Sequence, residues 1–414
     1  VSESESTSSS AMPDSIEAPE SVRHWVELIR DWKASSAGDH LIPVGRCSKP
    51  GLSLANLGQG AGSKIGSTAC SLRRVSTRNL SGILQHDPSE FTISVASGTP
   101  LEEVIAALAK HGQTLPFNPP RAELGASIGG CVASGWSGPG RWRYGGLRDF
   151  ILAASFLDGL GNEVHTGAPV VKNAAGFDFP KLMVGSLGRL GVLTRLTFKV
   201  FPQSVEPQTW VIQCGDLALA ALHMQTLTRL PIELDAIELC PPGMIDPEDW
   251  CIVLRVPGPT SVAESIMDRV RGNLREAVAW ELSEQQSQEL WSQLLDVPGE
   301  VSVRIPITPR QIETAVESFP KQLTQRGWKL HFGLAGNVMF VTGAGELAVL
   351  DAWLMEHALA GLVLDAGDAN PLGTQIGMWR HDEVVVRVSR AIDPHQCFAP
   401  FQFGESKHTQ RTEA

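Results

Sequence analysis

Gly125-Ala-Ser-Ile-Gly-Gly-Cys-Val-Ala-Ser-Gly135 is the stretch on which the fold turns. Its eleven positions carry no charge and no ring. Small side chains let backbone amides come close to a large planar ligand and its phosphates. Tight internal packing calls for one glycine pair, not for the whole run. From Pro116 to Gly146 the chain is dense in Gly, Pro and Ser, with its one tyrosine, Tyr144, in Arg143-Tyr-Gly-Gly146. So long a glycine-rich region inside a compact domain is uncommon unless it serves a ligand.

A second segment upstream has matching chemistry. Leu41-Ile-Pro-Val44 reads as a short strand that runs directly into Gly45-Arg-Cys-Ser-Lys49. A glycine after a strand, followed by small polar residues, can turn successive N–H groups inward. Such a nest takes the oxygens of a diphosphate without a charged side chain; Arg46 and Lys49 can add charge. Alone, Gly45–Lys49 would read as a surface turn. A third block runs from Val171 through Gly185-Ser-Leu-Gly-Arg-Leu-Gly191 to Thr194. Other nucleotide motifs fail. Gly58-Gln-Gly-Ala-Gly62 lacks the third glycine and the helix of a Rossmann fingerprint, and no G-K-[ST] occurs.

Around these segments the periodicity predicts ordinary elements. Val22, Trp25, Val26, Ile29 and Trp32 recur at helical spacing behind a Ser21 cap. Residues 52–66 read as loop. Phe91–Ala96 alternates as a strand and leads to Thr99-Pro-Leu-Glu102, a capping box opening a helix. Phe150–Leu157 and Asn162–Thr166 read as a hairpin, and Val192, Thr194, Leu196, Phe198 and Val200 share one strand face. Beyond Pro202 glycine thins out. Helices over 216–229, 261–279 and 310–326 alternate with strands over 251–256, 301–305 and 338–342.

The 414 residues exceed what one core usually serves. The expected layout is a disordered acidic tail over 1–20, a first domain over 21–205 and a second over 206–385. A segment over 386–404 packs back on the first domain, ahead of a frayed tail over 405–414. The net charge of −11 argues against nucleic acid as the main partner. Seven dispersed cysteines without a C-x-x-C pair read as thiols in a reducing compartment, and they leave no close spacing for a zinc or iron–sulfur site. No apolar run reaches the ~18 residues of a membrane span. Cytoplasmic residence is the expectation, with any attachment at the inner face of the membrane made through a partner.

The ordered blocks resemble the FAD-binding type 4 (PCMH-type) domain of the vanillyl-alcohol-oxidase superfamily over about residues 23–205. Within it the chain is most similar to FAD-binding subunits of glycolate oxidase. Ser76-Thr77, Leu80-Ser-Gly-Ile83, His111-Gly-Gln-Thr-Leu-Pro116, Ser137-Gly-Pro139 and Lys172-Asn173 carry that likeness. The resemblance implies an α+β fold: a two-lobed FAD domain followed by an α+β cap with an antiparallel sheet. It implies FAD, held non-covalently, since no flavin-linking His or Cys can be identified. Gly45, Arg46, Cys47, Ser48 and Lys49 match the diphosphate loop; Ser127, Gly129, Gly130, Ser134 and Gly135 match the second segment. Pro119 shapes the approach to that segment, Tyr144 joins the cofactor candidates, and Gly191 and Val192 face the cofactor's other end.

The departures bear on chemistry. Hydroxy-acid dehydrogenases of this kind read G-S-E-G-T-L-G, where this chain has Leu187 and Arg189, and Phe177 replaces a usual Tyr. Of their H-x-H-x-G-D-G-N segment only His331-Phe-Gly-Leu-Ala-Gly-Asn337 remains. Oxidising a 2-hydroxy acid needs a base for the hydroxyl proton and a cation for the carboxylate; His331 and Arg304 are the candidates. For each the structural reading is the stronger one, Arg304 as a strand-edge ion-pair partner and His331 as a satisfied histidine near a turn. The resemblance implies a subunit working with a larger FAD-containing catalytic subunit and an iron–sulfur subunit. A self-sufficient FAD-dependent hydroxy-acid or alcohol oxidoreductase, or a non-catalytic scaffold, are the alternatives.

Overall fold

The computed structural model describes residues 16–35, 40–53, 64–65, 68–69, 72–168, 177–203, 207–274, 277–345, 347–366, 373–379 and 382–401. The Gly58–Gly62 run, Lys172-Asn173 and the expected tail over 405–414 lie outside them.

The first lobe is built on two parallel strands, His40–Val44 and Leu72–Ser76, paired from His40↔Leu72 to Val44↔Ser76. Glu17 adds a parallel bridge to Val75 and Phe398 another to Leu41. Helix Val22–Ser35 covers this layer through Trp25 and Ile29, which pack on Leu41, Val75 and Phe398. Ser21 caps it by accepting from the His24 N–H at 3.2 Å. Order therefore begins before Ser21, correcting the expected tail: Ile16 is buried against Ile42 and Val44, because five residues of an acidic segment still supply one apolar anchor.

The second lobe is a five-stranded antiparallel sheet in the order Ile83–Asp87, Thr92–Ala96, Val192–Lys199, Ile151–Leu157, Glu163–Gly167. Val192–Lys199 is central, so both its faces are covered: Leu196 and Phe198 are buried, and so are Leu193 and Thr197. The hairpin turn at Asp158 forms as read, with its carboxylate accepting from the Leu160 and Asn162 N–H groups. Thr99 does not cap the helix that follows. That helix starts at Leu101, and the Thr99 hydroxyl is spent donating to Ala96 O at 2.6 Å. Lys64–Ile65 and Thr68–Ala69 form a two-stranded hairpin where loop was expected at 64–65.

The second domain is one nine-stranded antiparallel sheet, running Val278–Glu281, Gln208–Gln213, Cys251–Val256, Ala236–Cys240, Lys329–Gly333, Val338–Gly343, Val301–Pro306, Ala360–Asp365, Gln375–Gly377. A single pair, Leu239↔Phe332, joins its two halves. Helices Leu217–Arg229 and Thr260–Asn273 pack on one face. The expected helix over 261–279 ends at Asn273 and gives way to an edge strand at Val278; Pro320 splits the one over 310–326. Period-two alternation in Val301-Ser-Val-Arg-Ile305 sends Val301, Val303 and Ile305 under the helices. Ser302 and Arg304 are thereby left on the other face, where Arg304 reaches Gly135 of the first domain. Helix Asp382–Ile392 returns to the second lobe, packing Val388 and Ile392 on its core. Six described cysteines are free thiols, including Cys240 and Cys251, which face each other across neighbouring strands. No described helix is long and apolar enough to cross a membrane.

Candidate functional site

Gly45–Lys49 leaves the first lobe at the end of strand His40–Val44 and meets helix Ile128–Ser134. Together they line a narrow cavity whose walls include Gly45, Lys49, Ser127, Gly130, Ser134 and Leu187. The contact is close. A Cβ on Gly45 would collide with the Ser127 hydroxyl, so only glycine lets strand end and helix cap touch. Cys47 takes a left-handed backbone (φ 56°), the change of hand that turns neighbouring N–H groups to one side. Ser76 donates to Gly45 O at 2.8 Å, and the Thr77 N–H donates to Val44 O at 2.9 Å, fixing the loop from behind.

Lys49 is buried and forms no ion pair among the described residues. Burial pulls its amine down to about 8, with Cys131 opposing and Arg121 assisting. A buried cation with no direct ion pair, attracted only at longer range by Asp365 and Asp296, beside a turn that directs backbone N–H groups to one side, fits a diphosphate. Among the described residues, the hydroxyls of Ser97, Ser186 and Thr194 and both terminal nitrogens of Arg189 are buried without partners, but none of these side chains lines the cradle. Burial alone lowers the Arg189 guanidinium to about 10. The loop and Lys49 therefore fit an anionic group of diphosphate character at this cavity of 60 Å³.

A second cavity of 440 Å³ shares Ser134 and Leu187 with the cradle and runs past Gly135 and Gly185. Gly135 is left-handed (φ 61°), and its Cβ would stand 3.1 Å from Gly185 N. A third, of 540 Å³, lies between the domains and shares Arg141, Arg304 and Trp379 with the second. Through these shared walls the three cavities lie side by side, a trench from the cradle to the domain boundary.

The trench gathers the expected residues selectively. Gly45, Arg46, Cys47, Ser48, Lys49, Ser127, Gly130 and Ser134 line the cradle, and Gly135 lines the next cavity. Gly129 lines none of the three; its backbone packs on Ser97 O, to which its N–H donates at 2.7 Å. Pro119 is buried away from the trench. Tyr144 lines a separate cavity of 130 Å³, and its hydroxyl donates to Asp235 at 3.3 Å. Gly191 abuts Leu157, and Val192 is buried with Trp25 and Leu41.

Arg304 lines both larger cavities. It donates to Gly135 O at 3.2 Å and has no ion-pair partner among the described residues. Burial, then the nearby Arg141, lower it to about 10. His331 lines neither cavity. It stacks on Phe340 at 4.8 Å, and burial holds it near 4, a weak base. Sequence reading missed Arg141, Glu238 and Trp379, which converge from a helix, a strand and a loop. Glu238 faces the cavity beside Gly333 and accepts from the Leu334 N–H at 3.1 Å.

Burial raises Glu238 from 4.5 to about 8, against the lowering effect of the Leu334 hydrogen bond. The folded protein thus binds a proton there that the unfolded chain releases above its own carboxylate range. That contribution favours folding at pH 4.5 relative to pH 8 and is lost progressively as pH rises between them, on the order of 5 kcal/mol at most. Glu238→Gln, compared with wild type by urea unfolding across this range, should match it near pH 5 and be more stable above pH 8. An unchanged difference across pH would show that Glu238 is ionised in the fold.

Comparison with known proteins follows the same division. A family model described as an FAD binding domain matches residues 38–167. Glycolate oxidase subunit GlcE of Escherichia coli (strain K12) is 46% identical over 122 residues, 30% of this chain and 35% of that protein. Mitochondrial D-lactate dehydrogenase (cytochrome) 1 of Saccharomyces cerevisiae is 30% identical over 166 residues, 40% of this chain and 28% of that protein. The chain thus matches about a third of the length of these curated relatives. A solved alkyldihydroxyacetonephosphate synthase superposes with a TM-score of 0.66, covering 93% of this chain and 76% of that one at 16% identity, which shows a shared fold. The matched residues 38–167 include both the Gly45–Lys49 loop and the helix Ile128–Ser134, the two segments that form the cradle.

Proposed function

We propose that this chain is an FAD-dependent oxidoreductase, the FAD-binding subunit of a glycolate-oxidase-like complex. In that complex a 2-hydroxy acid is oxidised and its electrons pass to an iron–sulfur partner, beside a larger FAD-containing catalytic subunit. The row of adjoining cavities from the Gly45–Lys49 cradle to Arg141 and Arg304 carries this reading. Gly45–Lys49 and Ser127–Ser134 would hold the diphosphate through backbone donors and Lys49, without a covalent link. Bound FAD supplies the two-electron acceptor for a reaction that also releases two protons. Arg304 and Arg141 would bind and orient the substrate carboxylate, and the apolar walls would exclude water. Residence in the cytoplasm, with membrane contact only through partners, completes the proposal.

The cationic cavity favours a second reading, in which this chain receives the acid itself. FAD-loaded protein, mixed anaerobically with 2-hydroxy acids, should then lose flavin colour without partners. Arg304→Met should weaken binding of the unreactive analogue oxalate by about 10–100-fold, the worth of one charged hydrogen bond. Oxalate binding unaffected by that change would remove Arg304 from the site. Bleaching that requires added flavin and iron–sulfur subunits would favour the first reading alone.

A further inference from the structure

The interdomain cavity is large for a two-carbon acid. Its 540 Å³ lies within the ~300–1,000 Å³ range of sites that bury drug-sized ligands. Its lining is also uneven. The cations Arg141 and Arg304 are shared with the neighbouring cavity, so they mark the border on the side of Gly135 and Gly185. The walls it does not share are mainly Trp136, Trp142, Leu294, Leu295, Leu334 and Phe340. Two polar groups among them are partly engaged by one turn: Glu238 accepts from Leu334 N, and the Asn337 amide donates to Leu334 O at 2.8 Å. An apolar, aromatic recess therefore opens behind a pair of guanidinium groups.

We infer that this recess is a side-chain pocket, and that the acid this chain takes carries a large aliphatic or aromatic substituent. The carboxylate meets Arg141 and Arg304 at the border, which keeps the hydroxyl-bearing carbon toward the Gly135–Gly185 cavity, and the tail fills the recess. This rests on the reading that the chain itself receives a 2-hydroxy acid. Each buried methylene should tighten binding about fourfold, until the recess is filled.

The test uses the full FAD-loaded chain. Glycolate, lactate, 2-hydroxyoctanoate and 3-phenyllactate are titrated anaerobically while flavin colour is followed. Acetate and 3-phenylpropionate, which cannot be oxidised at a hydroxyl, are titrated by calorimetry. The expected result is at least a ~100-fold preference for the bulky member of each series. Glycolate and acetate binding as tightly as their bulky counterparts would overturn the pocket while leaving hydroxy-acid oxidation standing. A preference for 3-phenylpropionate with no bleaching by any hydroxy acid would support the pocket and sink the oxidation reading. No binding by any carboxylate would overturn both. Val338→Trp and Leu295→Trp, which place an indole into the recess, should each cut the 3-phenylpropionate-to-acetate ratio at least tenfold. An unchanged ratio in both would place the tail elsewhere.

Discussion

Gly130→Val should yield a folded protein that no longer retains FAD, whereas the neighbouring Gly129→Val should fail to fold. The two glycines are adjacent in one helix but face different surroundings. A Cβ on Gly129 would stand 2.6 Å from Ser97 O and 2.8 Å from Ser97 Cβ, a collision with backbone that nothing nearby can relieve. A Cβ on Gly130 meets only the Ser127 hydroxyl, at 3.2 Å, and Gly130 lines the cradle. Its added methyl groups would occupy the space of the ligand. Valine also has a better helix propensity than glycine, so the helix itself does not suffer. Two lost hydrogen bonds to a charged group amount to about 3–6 kcal/mol, so FAD affinity should fall at least ~100-fold. Fluorescence titration of FAD and calorimetry of the apoprotein give the two readouts. A Gly130→Val protein that still purifies yellow would move the diphosphate away from this helix.

The second large effect is expected at Arg121, which ties the cradle to the second domain. Its guanidinium donates to Ser48 O and to Asp365 Oδ1, each at 2.8 Å, and to Asp296 O at 3.2 Å. A second nitrogen pairs with Asp365 Oδ2, and the group lies over Trp136 at 5.2 Å. Only 4% of the Arg121 side chain and 13% of the Asp365 side chain are exposed. Arg121→Met leaves a buried carboxylate without its cation, a loss of about 3–5 kcal/mol in unfolding free energy. Adding Asp365→Asn should restore part of it, because the stranded charge is removed too. FAD affinity should fall as well, since the Ser48 carbonyl loses its anchor. Urea unfolding of the two single variants and the double variant measures this. Fully additive losses would show that the two side chains act independently.

The cradle was legible because close backbone approach is written locally. Gly45 and Ser127 must touch; Gly45 directly follows a strand, and Ser127 sits in a contiguous run of small residues that periodicity does not explain. The strand face of Val192–Val200 was equally plain, since alternation needs no knowledge of partners. The interdomain cavity left no such trace. Arg141, Glu238 and Trp379 are separated by 97 and 141 residues, and nothing local marks them as neighbours. Arg304 could be named only because a charge in a strand asks for a reason; its surroundings came from the sheet order. Thr99 shows the opposite failure. Its spacing satisfied a capping rule, but the tight turn at Ala96 took the hydroxyl first. His331 followed motif likeness, and the fold buries it against Phe340, where its Nε2 has no partner among the described residues.

Precipitating the purified protein in acid and locating its flavin tests the central claim most directly. One FAD per chain should appear in the supernatant, with a colourless pellet. Flavin retained in the pellet would contradict non-covalent binding. A protein colourless as isolated, that takes up no FAD on titration, would contradict the cradle itself.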